Sequence, residues 1–200
     1  MTISDISITK KGRYALFCDG EFAFSIDEET FVEYGIYKGI EIDEYQLNEL
    51  RMKSEMTKAK AKAFELLSYR AHTKKELLDK MLQRYDEYTA LYIVDELEKM
   101  GYIDEEGYIK ECISYMLNSK KASIRQIKQY LYVRGISKET IDEALVEYTY
   151  TEKENIKEII LTKYMLKLSE PNGYRKVFEA MIRRGFNSGD IRSILEEISN

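Results

Sequence analysis

The chain has 200 residues, 44% hydrophobic and 34% charged, with one proline and ten glycines; so few turn formers exclude a loop-rich chain and make helix the default. The formal net charge of −5 argues against nucleic acid as the main partner, because strong nucleic-acid binders carry a basic excess. His72 is the only histidine, and Cys18 and Cys112 lie far apart. Histidine triads and His-rich metal sites are therefore not expected, and the cysteines read as reduced, buried thiols.

Residues 3–26 read as β structure. Ile3, Ile6 and Ile8 begin the pattern, Lys10-Lys11-Gly12-Arg13 turns the chain, and Tyr14 to Cys18 forms a second strand. Asp19-Gly20 is a tight hairpin signal, since both turn positions tolerate positive φ. Glu21 to Ile26 returns with Phe22, Phe24 and Ile26 expected on one face. A short helix around Glu28 to Tyr34 ends at Gly35, Gly39 marks a turn, and Asp43 suits the cap of a helix starting near Glu44. So small a sheet needs cover, which suggests a docking or capping module over residues 1–50. No apolar run approaches the ~18 residues of a membrane span, and Met1 to Lys10 lacks the layout of a leader peptide.

Farther along, the sequence repeats itself at a period of about 50 residues. Thr73 to Tyr85, Ser123 to Gly135 and Gly173 to Gly185 align as the middle helix of three units. Leu77, Ile127 and Val177 pair with Met81, Leu131 and Met181 at i, i+4 to make one apolar stripe. Leu82, Tyr132 and Ile182 are expected to widen it. Thr73 with Glu76, and Ser123 with Gln126, are capping boxes. Gly135 and Gly185 supply left-handed stops, and Arg84, Arg134 and Arg184 place a cation in the last turn. Helices expected at Lys58 to Tyr69, Glu105 to Asn118 and Glu154 to Leu168 precede these. Ser137 and Asn187 suit the caps of the helices that follow in the second and third copies. The fold expected is mainly α: three tandem three-helix repeats at 51–102, 103–150 and 151–200, forming an elongated curved body behind the β-rich segment. The first copy lacks the stop glycine and carries a longer turn before its third helix.

In each unit basic residues precede acidic ones. The second unit, for example, runs from Lys110, Lys120, Lys121, Arg125, Lys128 and Arg134 to Glu139, Asp142, Glu143 and Glu147. Stacked units would then carry a basic and an acidic stripe, suited to a charged, repetitive partner; ordinary solvated helix faces give the same composition. Asp104-Glu105-Glu106 reads as a helix cap, with metal binding the weaker alternative. Tyr85, Tyr102, Tyr108, Tyr115, Tyr130, Tyr132, Tyr148 and Tyr174 fall at or beside apolar phases, so packing is favoured over base stacking. No phosphate-binding glycine motif is present, and no cofactor or metal site is expected.

Ala63-x-x-Leu66-Leu67-Ser68-Tyr69-Arg70-x-His72-x-x-x-Glu76-Leu77, Gly101-Tyr102-Ile103-Asp104-Glu105 and Ser123-x-Arg125-x-Ile127-x-x-x-Leu131-x-x-x-Gly135-Ile136, in this order and spacing, resemble the RecX family of recombination regulators. The hairpin Asp19-Gly20-Glu21-Phe22 resembles the extension of Gram-positive members. The resemblance covers nearly the whole chain. It implies a cytoplasmic, non-catalytic, monomeric protein that binds the RecA–single-stranded-DNA filament, depresses its ATPase and strand exchange, and makes at most weak contact with single-stranded DNA. Family members are often basic, whereas this chain is acidic overall. The middle helix offers equivalent positions in every repeat, which makes Lys74, Lys75, Arg125, Lys128, Arg175 and Lys176 the candidate partner-binding residues. The competing reading is a helical-repeat protein acting on DNA directly. The acidic third helices disfavour it, because a groove-reading helix needs exposed Arg, Asn or Gln.

Overall fold

The structure, a computed structural model, describes residues 1–199; Asn200, at the end of the third expected unit, lies outside the described residues. Strands β1 (Ile3–Ile8), β2 (Tyr14–Cys18) and β3 (Glu21–Ile26) form an antiparallel sheet in the order β1-β2-β3. Asp19 (φ 49°) and Gly20 (φ 92°) both take the left-handed conformation that the hairpin needs. The sheet's inner face, Ile3, Leu16, Phe24 and Ile26, packs on Ile36, Ile42, Leu47 and Leu50. Phe22 does not share that face and is 61% exposed. The register shifts between Leu16, opposite Phe24, and Phe17, opposite Phe22. This inserts Ala23 as an extra residue and breaks the two-residue alternation. Helix α1 (Glu28–Glu33) follows, capped by Asp27.

Helix α2 (Glu44–Tyr69) is a single 26-residue helix, started by a capping box between Asp43 and Gln46. The two helices expected here are one, and the boundary expected at 50/51 falls inside it. No glycine or proline interrupts residues 44–69, so once capped the helix has no local reason to stop.

The chain divides into two compact units, one of 1–70 with 77–102, the other of 71–76 with the chain from Ile103 onward. In the first, α2 packs against α4 (Glu87–Lys99), and the Lys60 ammonium meets Glu96 at 2.8 Å. Helix α3 (Lys74–Met81) begins in the second unit and ends in the first. In the second unit, α5 (Glu105–Asn118), α6 (Ile124–Val133) and α7 (Lys138–Leu145) enclose Ile113, Leu117, Ile127, Leu131, Ile141 and Leu145. A further core of Ile156, Ile160, Val177, Met181, Ile191 and Leu195 is enclosed by α8 (Thr149–Ile159), α10 (Gly173–Arg183) and α11 (Ser188–Ser199). A π-helical turn over Ile160–Tyr164 interrupts the expected first helix of that trio, which continues as α9 (Met165–Leu168).

The i, i+4 stripe is fully buried at Leu77, Met81, Ile127, Leu131, Val177 and Met181. Leu82, Tyr132 and Ile182 are exposed instead. Each lies five residues after the first stripe position, about 140° round the helix from it, which takes it out of the core. Gly135 and Gly185 end their helices in Schellman geometry. The N–H groups of Ile136 and Phe186 donate to the carbonyls of Leu131 and Met181, both at 3.3 Å.

Candidate partner-binding surface

The six candidate cations have different surroundings. Lys128 Nζ pairs with Asp142 Oδ1 at 2.5 Å, Arg175 Nε with Glu179 Oε1 at 2.8 Å and Lys176 Nζ with Glu170 Oε2 at 3.1 Å. The Lys74 backbone N–H donates to Glu105 Oε1 at 2.8 Å, and the Lys75 side chain lies against Gly135. Arg125 is exposed and has no side-chain partner among the described residues. In the second unit basic and acidic side chains meet in pairs. Lys128, Lys153 and Lys157 reach across to Asp142, Asp190 and Glu197 of the third helices. Long flexible lysine stems span between neighbouring helices and neutralise the acids locally. The tyrosines also depart from expectation: Tyr102, Tyr115, Tyr130, Tyr132 and Tyr174 are exposed.

The helix caps position Arg125. Ser123 Oγ accepts from Gln126 N, starting α6, and donates to the Arg184 carbonyl at the end of α10 at 2.8 Å. Beside it the Ile124 N–H donates to Glu152 Oε1 at 2.7 Å, and Asn155 Nδ2 donates to the Leu117 carbonyl at 2.9 Å. The same device occurs one period earlier. Thr73 Oγ1 donates to the Arg134 carbonyl at 2.7 Å, and Glu105 takes the role of Glu152. A helix start and a helix end, each left with orphan backbone groups, thus satisfy each other. Burial pushes the Glu152 carboxyl above its ordinary range; the Ile124 N–H opposes this and Asp190 adds to it. Sequence reasoning missed Glu152 altogether and read Glu105 only as part of a cap. Glu105 and Glu152 stand 47 residues apart and so escape the 50-residue alignment.

The two junctions differ in charge. At the first, Arg134 Nε lies 3.3 Å from Glu76 Oε1, an ion pair without hydrogen-bond alignment, and its guanidinium sits 3.4 Å above the Tyr130 ring centre. At the second, Gln126 stands where the first has Glu76. Among the described residues the Arg184 guanidinium has no carboxylate partner; it makes a long 3.5 Å contact to the Lys121 carbonyl and lies 5.9 Å from the Phe186 ring centre. A groove of about 980 Å³ opens beside it, lined by Lys120, Arg125, Arg183 and Arg184 with Gln126, Gln129 and Tyr130. Met116, Ala122 and Ile182 supply apolar lining, and no carboxylate contributes. Among the described residues no His, Cys, Asp or Glu group has metal-site geometry, and no helix is long and apolar enough to cross a membrane.

Two family models match the chain: the regulatory protein RecX N-terminal domain over residues 1–43 and the RecX first three-helix domain over residues 59–97. A Clostridium beijerinckii protein named regulatory protein RecX is 30% identical over 207 residues, covering 99% of this chain and 95% of its own. The chain belongs to the RecX family. Another RecX relative, from Leuconostoc mesenteroides, is 30% identical over 198 residues, covering 96% of this chain and 74% of its own. A solved structure described as regulatory protein RecX superposes with a TM-score of 0.76 at 27% identity, covering 98% of both chains. The basic groove lies beyond the segments matched by the two RecX models.

Proposed function

We propose that this chain regulates recombination by binding the RecA–single-stranded-DNA filament and depressing its ATPase and strand exchange, acting as a cytoplasmic, non-catalytic monomer. The observation that carries the reading is the near full-length match to a relative named as a regulatory protein. The repeated helix trios support it, because similar units in series suit a repetitive partner, and several weak contacts give avidity that none has alone. Of the candidate residues Lys74, Lys75, Arg125, Lys128, Arg175 and Lys176, Arg125 is favoured as the largest contributor. It brings no intramolecular carboxylate that a partner must displace.

The test is inhibition of filament ATPase, with co-sedimentation against RecA filaments and against naked single-stranded DNA across a salt series. Wild-type protein is expected to sediment with filaments and lower the ATPase. Reversing all six charges should weaken inhibition while leaving the helical circular-dichroism spectrum unchanged. Arg125→Glu alone should account for about tenfold, the scale of one charged hydrogen bond, and Lys176→Glu for less. Full inhibition by a folded six-site variant would reject the surface; retention on naked DNA alone would reject the filament reading.

A further inference from the structure

The groove between α6 and α10 has unspent charge. Arg125 and Arg183 have no hydrogen-bond or ion-pair partner among the described residues, and the Lys120 ammonium lies 5.4 Å from the Tyr115 ring centre with no carboxylate partner among them. Fifty residues earlier, the counterparts of Gln126 and Gln129 are Glu76 and Asp79. The second junction therefore replaces two carboxylates by two neutral amides at the positions that line the groove, and its basic charge is not an average property of the repeat. In a chain of net charge −5, such a concentration of cations favours an anionic occupant.

Two features distinguish the kinds of anion. Single-stranded nucleic acid is held by bases stacked on open aromatic faces. The aromatic side chain lining this groove, Tyr130, has the Arg134 guanidinium 3.4 Å above its ring centre. Neighbouring Tyr115 is engaged by Lys120. Met116, Ala122 and Ile182 instead offer an apolar surface to an aliphatic or aromatic side chain, flanked by guanidinium groups that match carboxylates in a bidentate way. We propose that this groove docks an acidic peptide segment bearing an apolar anchor residue, presented by a protein partner. Carboxylates of the segment meet Arg125, Arg183 and Lys120, the anchor packs on Met116 and Ile182, and Gln129 donates to the segment's backbone. The inference stands apart from the recombinase reading, since any protein could supply such a segment.

The test uses the full chain and no recombinase. A fluorescein-labelled dodecapeptide of alternating Asp and Glu with one central Leu is titrated by fluorescence anisotropy. Companion peptides change the Leu to Ser, or all acids to Asn and Gln, and an oligo-dT of matched charge serves as competitor. Saturable binding of the acidic peptide is expected. It should weaken at least tenfold in the Arg125→Glu/Arg183→Glu variant, weaken when the Leu is removed, and be absent for the neutral peptide. A Lys10→Glu/Lys11→Glu variant makes the same charge change in the β1–β2 turn and should bind normally; circular dichroism confirms that both variants are folded. No saturable binding, or equal loss in the two variants, overturns the proposal. So does displacement by oligo-dT that depends on Arg125 and Arg183, which would assign the groove to nucleic acid. Because the ATPase assay is separate, either reading can fail while the other survives.

Discussion

Ser123 has two distinct hydrogen-bonding duties: it caps its own helix and it satisfies the carbonyl of Arg184. Ser137 caps α7, accepting from the Thr140 N–H, and among the described residues its hydroxyl otherwise meets the Thr140 hydroxyl alone. Ser137→Ala should therefore cost about 1 kcal/mol, the ordinary value of a cap. Ser123→Ala should cost more, by the roughly 1–3 kcal/mol of a carbonyl left unsatisfied; urea midpoints of the two variants measure the difference. Gly135 is constrained twice. Its φ is +91°, and a Cβ there would lie 2.5 Å from Lys75 Cβ. Gly135→Ala is expected to destabilise by about 2 kcal/mol or more, adding left-handed strain to overpacking. Glu152 gives a pH signature. Burial raises its pKa in the folded state, so between its unfolded and folded values the folded chain holds more protons and stability through this group falls as pH rises. Glu152→Gln keeps an acceptor for the Ile124 N–H. It should raise stability relative to wild type at pH 7–8, and the gain should shrink to nothing as the pH drops below the ordinary 4.5. A constant difference across that range would show that the charge on Glu152 carries no cost.

Helix α2 links two kinds of core. Leu47 and Leu50 in its first turns cover the sheet, while Ala59 and Ala63 are buried farther along. Glu55 lies between them on the exposed side. Glu55→Pro removes no core contact, yet it breaks the helix interior, for a cost of about 3 kcal/mol or more. If the N-terminal module were independent of the helices behind it, sheet and helix signals would melt separately in this variant and the sheet would keep its wild-type midpoint; a shared loss of stability is expected. The helix ends were legible from sequence because each depends on a few adjacent residues. Ser123 with Gln126, Gly135, Asp104 and Asn187 all perform the local roles that their types suggest. The continuity of α2 was not legible, because a polar stretch such as Arg51-Met52-Lys53 reads equally as linker or as solvated helix. Phe22 was misplaced for a related reason: period-two alternation cannot reveal an inserted residue.

At the scale of the molecule, charge behaves differently from what composition suggests. Of the six candidate cations Lys75, Arg125 and Arg175 share one recurring position, and recurrence is a property of the fold, not of the surroundings. Lys128 and Arg125 lie on the same helix three residues apart, but only Lys128 has a carboxylate opposite it. Exposed pairs of this kind contribute about 0–1 kcal/mol each, so Asp142→Asn is expected to leave stability nearly unchanged. It should still strengthen any electrostatic contact made through Lys128, read as a steeper salt dependence of filament co-sedimentation. The sequence by itself determined the helical character, the repeat, the caps and stops and the family resemblance, because these rest on periodicity and on interactions spanning three to six residues. Only the tertiary structure decided which cations are neutralised, that Thr73 and Ser123 each close the end of another helix, that Glu105 and Glu152 serve helix starts far from their own, and that basic charge gathers beside Arg184. The contacts at the two helix junctions join residues 28 to 63 positions apart, and their partners are chosen by packing, which no local pattern encodes.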